Sequence, residues 1–329
     1  ISMVAISALI KDFTKPVGEG AIALGREALK KWQVIFEGCF SKYIERSYQR
    51  YSKTKTLLYR ERPVSLKEFY VRTDLGLGSE VVCESTFVNR IKSERRVIVS
   101  GIAGSGKSTF CKSIFIELIE KPDGIVPIFL ELRHLNSSGR GSLMSFVVST
   151  LSSIEPDFTQ EHLEYALRMG KILLIFDGFD EIDGEVREQY EREIIEISTR
   201  YHKVMVIVSS RPDNRFNSWE EFYKYDVRPL DKDKAVLLVE KLEYDHQVKD
   251  KFLSALKATL FEKHISFASS PLLLTMMLLT YEQIAEIPNK IHLFYEQAFL
   301  TLFNKHDSLK SLYKRKSFSD LPLDDFRRV

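Results

Sequence analysis

At 329 residues with 44% apolar composition, the chain is long enough for two or three domains with real cores, which excludes intrinsic disorder. Its formal net charge of +2 supplies no global field to draw it to nucleic acid or to a membrane surface. Three cysteines, Cys39, Cys83 and Cys111, are an odd number without C-x-x-C spacing, which suits a reducing cytoplasmic setting and offers no zinc site.

Residues 1–65 are expected to form an N-terminal helical module. Glu27-Ala-Leu-Lys-Lys-Trp-Gln-Val-Ile-Phe36 has helical spacing, and strand signals are few. The apolar run Ser2–Ile10 is shorter than the about 20 residues a bilayer span requires and lacks the basic start and cleavage site of a secretory signal. The chain opens on Ile1-Ser2-Met3 and closes on Arg328-Val329, as expected of a piece excised from a longer protein. Between Lys42 and Arg62, basic residues alternate with Tyr43, Tyr48, Tyr51 and Tyr59. Such a run can grip a nucleic acid backbone and its bases; a solvated helix face with tyrosines packed beneath it is the favoured reading.

A nucleotide-binding unit is expected over residues 66–228. Pro63–Arg72 leads into it through a turn at Gly76 and Gly78, and is well placed to touch a base through its backbone. Strand and helix then alternate over 96–100, 108–120, 126–132, 142–153, 160–169, 172–177, 186–200 and 204–209. This alternation argues an α/β fold, a mainly parallel sheet sandwiched by helices.

The chemistry is concentrated where these strands end. Gly101-Ile-Ala-Gly-Ser-Gly-Lys-Ser-Thr109 is a complete G-x-x-x-x-G-K-[ST] phosphate loop, preceded by the β-branched run Arg96–Ser100 and followed by a helical pattern. Main-chain N–H groups at a helix N-terminus are rigid donors for phosphate oxygens. Phosphate contact is assigned to Gly101, Ala103, Gly104, Ser105, Gly106, Lys107, Ser108 and Thr109. Lys107 places a cation on the β- and γ-phosphates, and the Ser108 hydroxyl is a Mg²⁺ ligand. Asp177 ends the unbroken apolar run Lys171–Phe176, at the carboxyl edge of the sheet, where it can orient the same Mg²⁺. Asp180 and Glu181 follow within a turn. Glu181 is the first choice for the base that activates water and Asp180 the second, the bland alternative being an acidic helix start. Arg211 ends a third strand, where it either senses the γ-phosphate or lies in a surface turn before Pro212. The strand at 126–132, inserted in sequence between the loop strand and the Asp177 strand, points to the ATPase branch of P-loop proteins. No N-K-x-D guanine-reading motif is present, which favours ATP/ADP.

Past Pro229 the strand signals cease, and residues 229–316 read as a helical lid. Its helices are expected at 231–242, capped by Asp231, and at about 248–261, 271–282 and 290–306. Pro271 reads by itself as an ordinary first-turn proline.

These residues resemble the NACHT module of the signal-transducing STAND ATPases, close to bacterial NACHT proteins, over about residues 65–329. The likeness rests on Gly101–Thr109, on Leu173-Leu-Ile-Phe-Asp-Gly-Phe-Asp-Glu-Ile182, on Ser209-Ser-Arg-Pro212 and on Ala268-Ser-Ser-Pro-Leu-Leu-Leu-Thr-Met-Met277. Phe294-Tyr-Glu-Gln-Ala298 and His306-Asp-Ser-Leu-Lys310 are similar too. The resemblance implies a P-loop NTPase of the ASCE/STAND type, with Pro271 packed on the base or ribose and a winged-helix domain beginning within 317–329. Where many relatives carry glycine, this chain has Ser269. The resemblance also implies a switch: ADP holds a closed monomer, a C-terminal sensor meets a trigger, and ATP drives self-association that activates an N-terminal effector in innate immunity or anti-phage defence. A slow Mg²⁺-dependent ATPase of this kind is the leading expectation. A nucleotide-filled scaffold with little hydrolysis and an ATPase that engages nucleic acid through its basic N-terminal helices are the alternatives.

Overall fold

The computed structural model describes residues 26–59, 62–137 and 141–281, together with residues 293 and 296. Apart from those two positions, the helix expected at 290–306 lies outside the described residues, as do the winged-helix start at 317–329 and the run Ser2–Ile10.

Seven strands make the central sheet: β3 (Leu75–Leu77), β4 (Glu80–Val82), β5 (Arg96–Ser100), β6 (Val126–Glu131), β7 (Ile172–Asp177), β8 (Met205–Ser210) and β9 (Tyr223–Val227). A separate two-stranded ribbon joins β1 (Lys53–Thr54) and β2 (Val64–Ser65). The spatial order of the large sheet is β4-β3-β9-β5-β8-β7-β6. β9, β5, β8, β7 and β6 run parallel, and the β3–β4 hairpin adds to β9 antiparallel. β7 and β8 are buried along their whole length. Their runs of Ile, Leu, Val and Phe carry no alternation, as befits strands covered on both faces. The expected α/β architecture is therefore present. The strand lying in space between the loop strand β5 and the Asp177 strand β7 is β8, whereas Val126–Glu131 takes the sheet edge.

β9 and the hairpin were not anticipated. In β9 only Tyr225 is fully buried and Tyr223 is exposed, so the apolar signal is short and interrupted by Lys224 and Asp226. The expected turn at Gly76 and Gly78 lies one step later. Gly76 is a strand residue opposite Val81, and Gly78, at φ +59°, supplies the left-handed geometry of the hairpin.

The N-terminal helix Arg26–Tyr51 covers the β6 edge. Phe129 N–H of β6 donates to Tyr43 Oη at 2.8 Å, meeting an amide that an edge strand would otherwise present to a stray strand. Tyr51 stacks on Phe129 and Phe115 with ring centroids at 4.5 and 5.5 Å. The tyrosines of the basic segment thus point inward. Lys42 and Arg50 lie outside, paired with Glu155 at 2.8 Å and Glu131 at 2.9 Å.

After β9 the chain is helical through Lys232–Lys241, His246–Ala255 and Pro271–Thr280. Asp231 caps the first of these, accepting from Lys234 N–H at 2.8 Å. The helix expected at 248–261 begins at His246 and passes through a π-helical turn at Leu256–Leu260 into Phe261–Lys263.

Candidate functional site

β5 delivers the chain to the carboxyl edge of the sheet, and the loop turns there into the helix Lys107–Glu120. Gly104 and Gly106 have φ of +76° and +91°, values that residues with a Cβ rarely adopt. Lys107 Nζ reaches across the loop to Gly101 O at 2.7 Å and Ile102 O at 3.2 Å. Burial lowers its pKa, partly offset by the nearby Asp180. The ammonium thus lies at the loop mouth, among carboxylates, held by carbonyls that a phosphate can displace.

Asp177, at the end of β7, is 8% exposed, and its Oδ1 accepts the Ser209 hydroxyl at 2.5 Å. Gly178 N–H in turn donates to Ser209 Oγ at 2.9 Å. Burial raises the Asp177 pKa, while hydrogen bonds from Ser209 and Ser108 pull it back down. The structure therefore brings Ser108 and Asp177 together as expected. It adds Ser209, which the sequence names within Ser209–Pro212 but to which it assigns no role. Among the described residues no group of three or more His, Cys, Asp or Glu side chains is placed to hold a metal. The Ser108–Asp177 pair fits Mg²⁺, which typically takes only one or two protein groups and completes its shell with phosphate oxygens and water. Bound there, the ion would neutralise charge on the β- and γ-phosphates.

Asp180 and Glu181 stand on the short turn Phe179–Glu181, entered through Gly178 at φ +80°. The turn is pinned from below, where Phe179 packs on Phe216 and Trp219 with centroids at 5.8 and 5.7 Å. The Asn136 side-chain amide donates to Glu181 O at 2.9 Å and accepts Asp183 N–H at 3.0 Å. The two acids then divide. Asp180 accepts Arg211 N–H at 3.0 Å and pairs with its Nε at 2.9 Å, so it is engaged with the arginine. Glu181 is exposed beside the loop. Although the residue as a whole is exposed, partial desolvation of its carboxyl lifts it above the usual range, with Arg133 opposing and Asp177, Asp180 and Glu131 adding to the rise.

These groups line one end of a cleft of about 380 Å³, within the usual range for small-molecule sites. Away from the loop the lining is largely apolar, with Leu57, Phe69, Val71 and Leu238, while Pro271 sits beside Gly106 of the loop. The segment ahead of the loop strand thus reaches the cleft as expected. Leu57 and Leu238 carried no local signal in the sequence. Pro271 is the first residue of its helix, as its ordinary reading expects, and it also lines the cleft. Its neighbour Leu272 approaches the loop itself, with Leu272 N–H 3.4 Å from Gly104 O. Ser269 has φ −85°, an ordinary value, so no glycine is needed there.

The close approach at Gly104 makes a prediction. A Cβ on Gly104 would lie 2.8 Å from Leu272 Cβ, in addition to the left-handed φ. Gly104→Ala is expected to destabilise the chain by about 1–3 kcal/mol, read as a lowered thermal or denaturant midpoint. An unchanged midpoint would show that the Pro271 helix retreats freely from the loop.

A strand, a glycine loop capping a helix, and an acid at the end of a nearby parallel strand together define a P-loop NTPase. Residues 95–246 match the family model of the NACHT domain. Solved structures similar to the chain include domain III of the replication initiation protein DnaA from Thermotoga maritima, at 14% identity and a TM-score of 0.38. That match covers 73% of this chain and 95% of the other. The Walker-type ATPase PABY2304 of Pyrococcus abyssi is similar at 13% identity and a TM-score of 0.39, over 74% of each chain. PCH-2 of C. elegans follows at 14% identity and a TM-score of 0.33, over 67% of this chain and 64% of that one. No curated protein sequence matches. Among the described residues no helix is long and apolar enough to cross a membrane.

Proposed function

We propose that the chain is a slow, Mg²⁺-dependent ATPase whose bound nucleotide sets how the lid helices pack on the P-loop domain, and thereby whether the protein self-associates. The observation that carries this reading is the double contact at the cleft. Arg211 is held by Asp180 on the sheet side, while Leu272 and Pro271 close on the loop from the lid side. A γ-phosphate beside the loop competes with Asp180 for the Arg211 guanidinium. ATP and ADP therefore make different contacts, which is what a ligand needs to bias two packings. The apolar end of the cleft suits adenine, and no guanine-reading motif is present. Glu181 acts as the base toward the attacking water, with Asp180 retained as the partner of Arg211. The family resemblance supports a role in innate immune or anti-phage signalling.

Slow turnover is part of the proposal, since a switch that must hold its state gains nothing from rapid hydrolysis. The test compares ATP, ADP and no nucleotide by light scattering of the chain, with turnover followed in parallel. ATP-specific growth in mass with slow hydrolysis supports the switch. The same mass under all three conditions refutes it and favours a static scaffold. As a companion prediction, Arg211→Ala is expected to bind ADP as the wild type does and to lose most of the ATP-over-ADP preference. A charge-assisted contact of this kind contributes about 1.5–3 kcal/mol, so about tenfold or more of the preference should go. Titration calorimetry with both nucleotides reads it, and a preserved preference would remove Arg211 from γ-phosphate sensing.

A further inference from the structure

A buried carboxylate, Glu84, stands behind the apolar wall of the cleft. Glu84 opens the helix Glu84–Glu94 and is 1% exposed. Its Oε2 accepts the Tyr70 hydroxyl at 2.6 Å and Thr73 N–H at 3.2 Å. Its Oε1 accepts the Ser113 hydroxyl at 2.7 Å. Tyr70 and Thr73 line the cleft, while Ser113 sits midway along the phosphate-loop helix. One side chain therefore ties the wall of the apolar end to the helix whose N-terminus forms the phosphate end. The lid joins the same wall, since Lys241 Nζ donates to Tyr70 O at 2.6 Å.

We infer that Glu84 is a positioning residue for the nucleoside: it holds the Tyr70–Thr73 segment at a fixed distance from the phosphate loop, so that base and polyphosphate are bound together. This rests on reading the cleft as a nucleoside triphosphate site. The segment between Tyr70 and Thr73 is extended and belongs to no strand or helix, so its place is set by side-chain anchors. Glu84 supplies two of them, at the two ends of a four-residue span that includes Val71 of the cleft wall. Burial pushes the Glu84 carboxyl up, and its three donors oppose the shift. The role depends on accepting hydrogen bonds more than on charge. A glutamine can serve it, because its carbonyl accepts from Tyr70 and Thr73 while its amide donates to Ser113, whose hydroxyl turns to accept.

The test separates the two ends of the ligand. Wild-type chain, Glu84→Ala, Glu84→Gln and Ser113→Ala are each titrated with ATP and with inorganic tripolyphosphate, which carries the tail without the nucleoside. Glu84→Ala is expected to bind ATP about tenfold more weakly and tripolyphosphate within about twofold of wild type, the scale of re-ordering a loosened wall. Glu84→Gln should keep ATP affinity within about twofold, and Ser113→Ala should show a selective ATP loss of about threefold. Ser113→Ala carries the test if Glu84→Ala does not fold, because it leaves the cleft surface unchanged. Equal losses for both ligands, no loss for either, or Glu84→Gln behaving as Glu84→Ala would overturn the inference. A wild-type chain that binds neither ligand would refute the nucleotide reading itself.

Discussion

Lys107→Ala is expected to weaken ATP and ADP binding at least about 100-fold, equivalent to about 3 kcal/mol. The magnitude follows from where the ammonium stands. It is half-buried at the loop mouth, held by Gly101 O and Ile102 O, with Asp177 and Asp180 nearby. Removing it leaves two carboxylates facing the phosphates with the closest cation gone, so like-charge repulsion adds to the lost attraction. Arg211, paired with Asp180 at 2.9 Å, does not make up the loss: ADP offers it no γ-phosphate, and with ATP its contact is already made in the wild type. Calorimetric titration of the variant measures the loss, and circular dichroism checks that the fold is kept. Affinity equal to wild type would mean that the loop amides alone hold the tail, and the electrostatic account of this site would fall.

Glu181→Gln carries the second large effect, on turnover instead of affinity. General base catalysis contributes about 100-fold to 10,000-fold, so hydrolysis should drop at least about 100-fold while ATP binds as before. The pH profile gives a separate check. Burial and the neighbouring carboxylates place the Glu181 pKa above the usual range, so the base is ionised above that raised value and lost as pH falls through it. Wild-type activity should thus decline toward acid earlier than for an ordinary glutamate. The residual activity of Glu181→Gln should lack this limb. Undiminished turnover in the variant would shift the role to Asp180, the other acid on the turn, and Asp180→Asn would then become the informative substitution.

Locally encoded features were read correctly from particular residues. Gly101–Thr109 specifies its own geometry, because the left-handed turns, the helix N-terminus and the lysine are contiguous. Ile172–Asp177 declares a fully buried parallel strand by carrying apolar residues on both faces. Asp231 announces the first lid helix because capping is a contact between residues three apart. Between Asp180 and Glu181 the sequence offers only a ranking, because what distinguishes their surroundings is a long-range contact. Arg211, thirty-one positions from Asp180, must first be brought to the sheet edge by β8 before it can hold that acid.

The amino-acid order by itself determined the phosphate loop, the acid that ends β7 and the alternation of buried strands with helices, since each depends on neighbours within a few positions. Tertiary structure alone decided that β8 separates β5 from β7, that Ser209 joins Asp177, and that Tyr43 covers the β6 edge. It also decided that Leu57, Tyr70 and Leu238 share a cleft with the loop. The physical reason is separation along the chain. These contacts join segments dozens to well over a hundred residues apart, and a side chain that meets its partner only after the sheet has assembled leaves no periodic trace in its own surroundings.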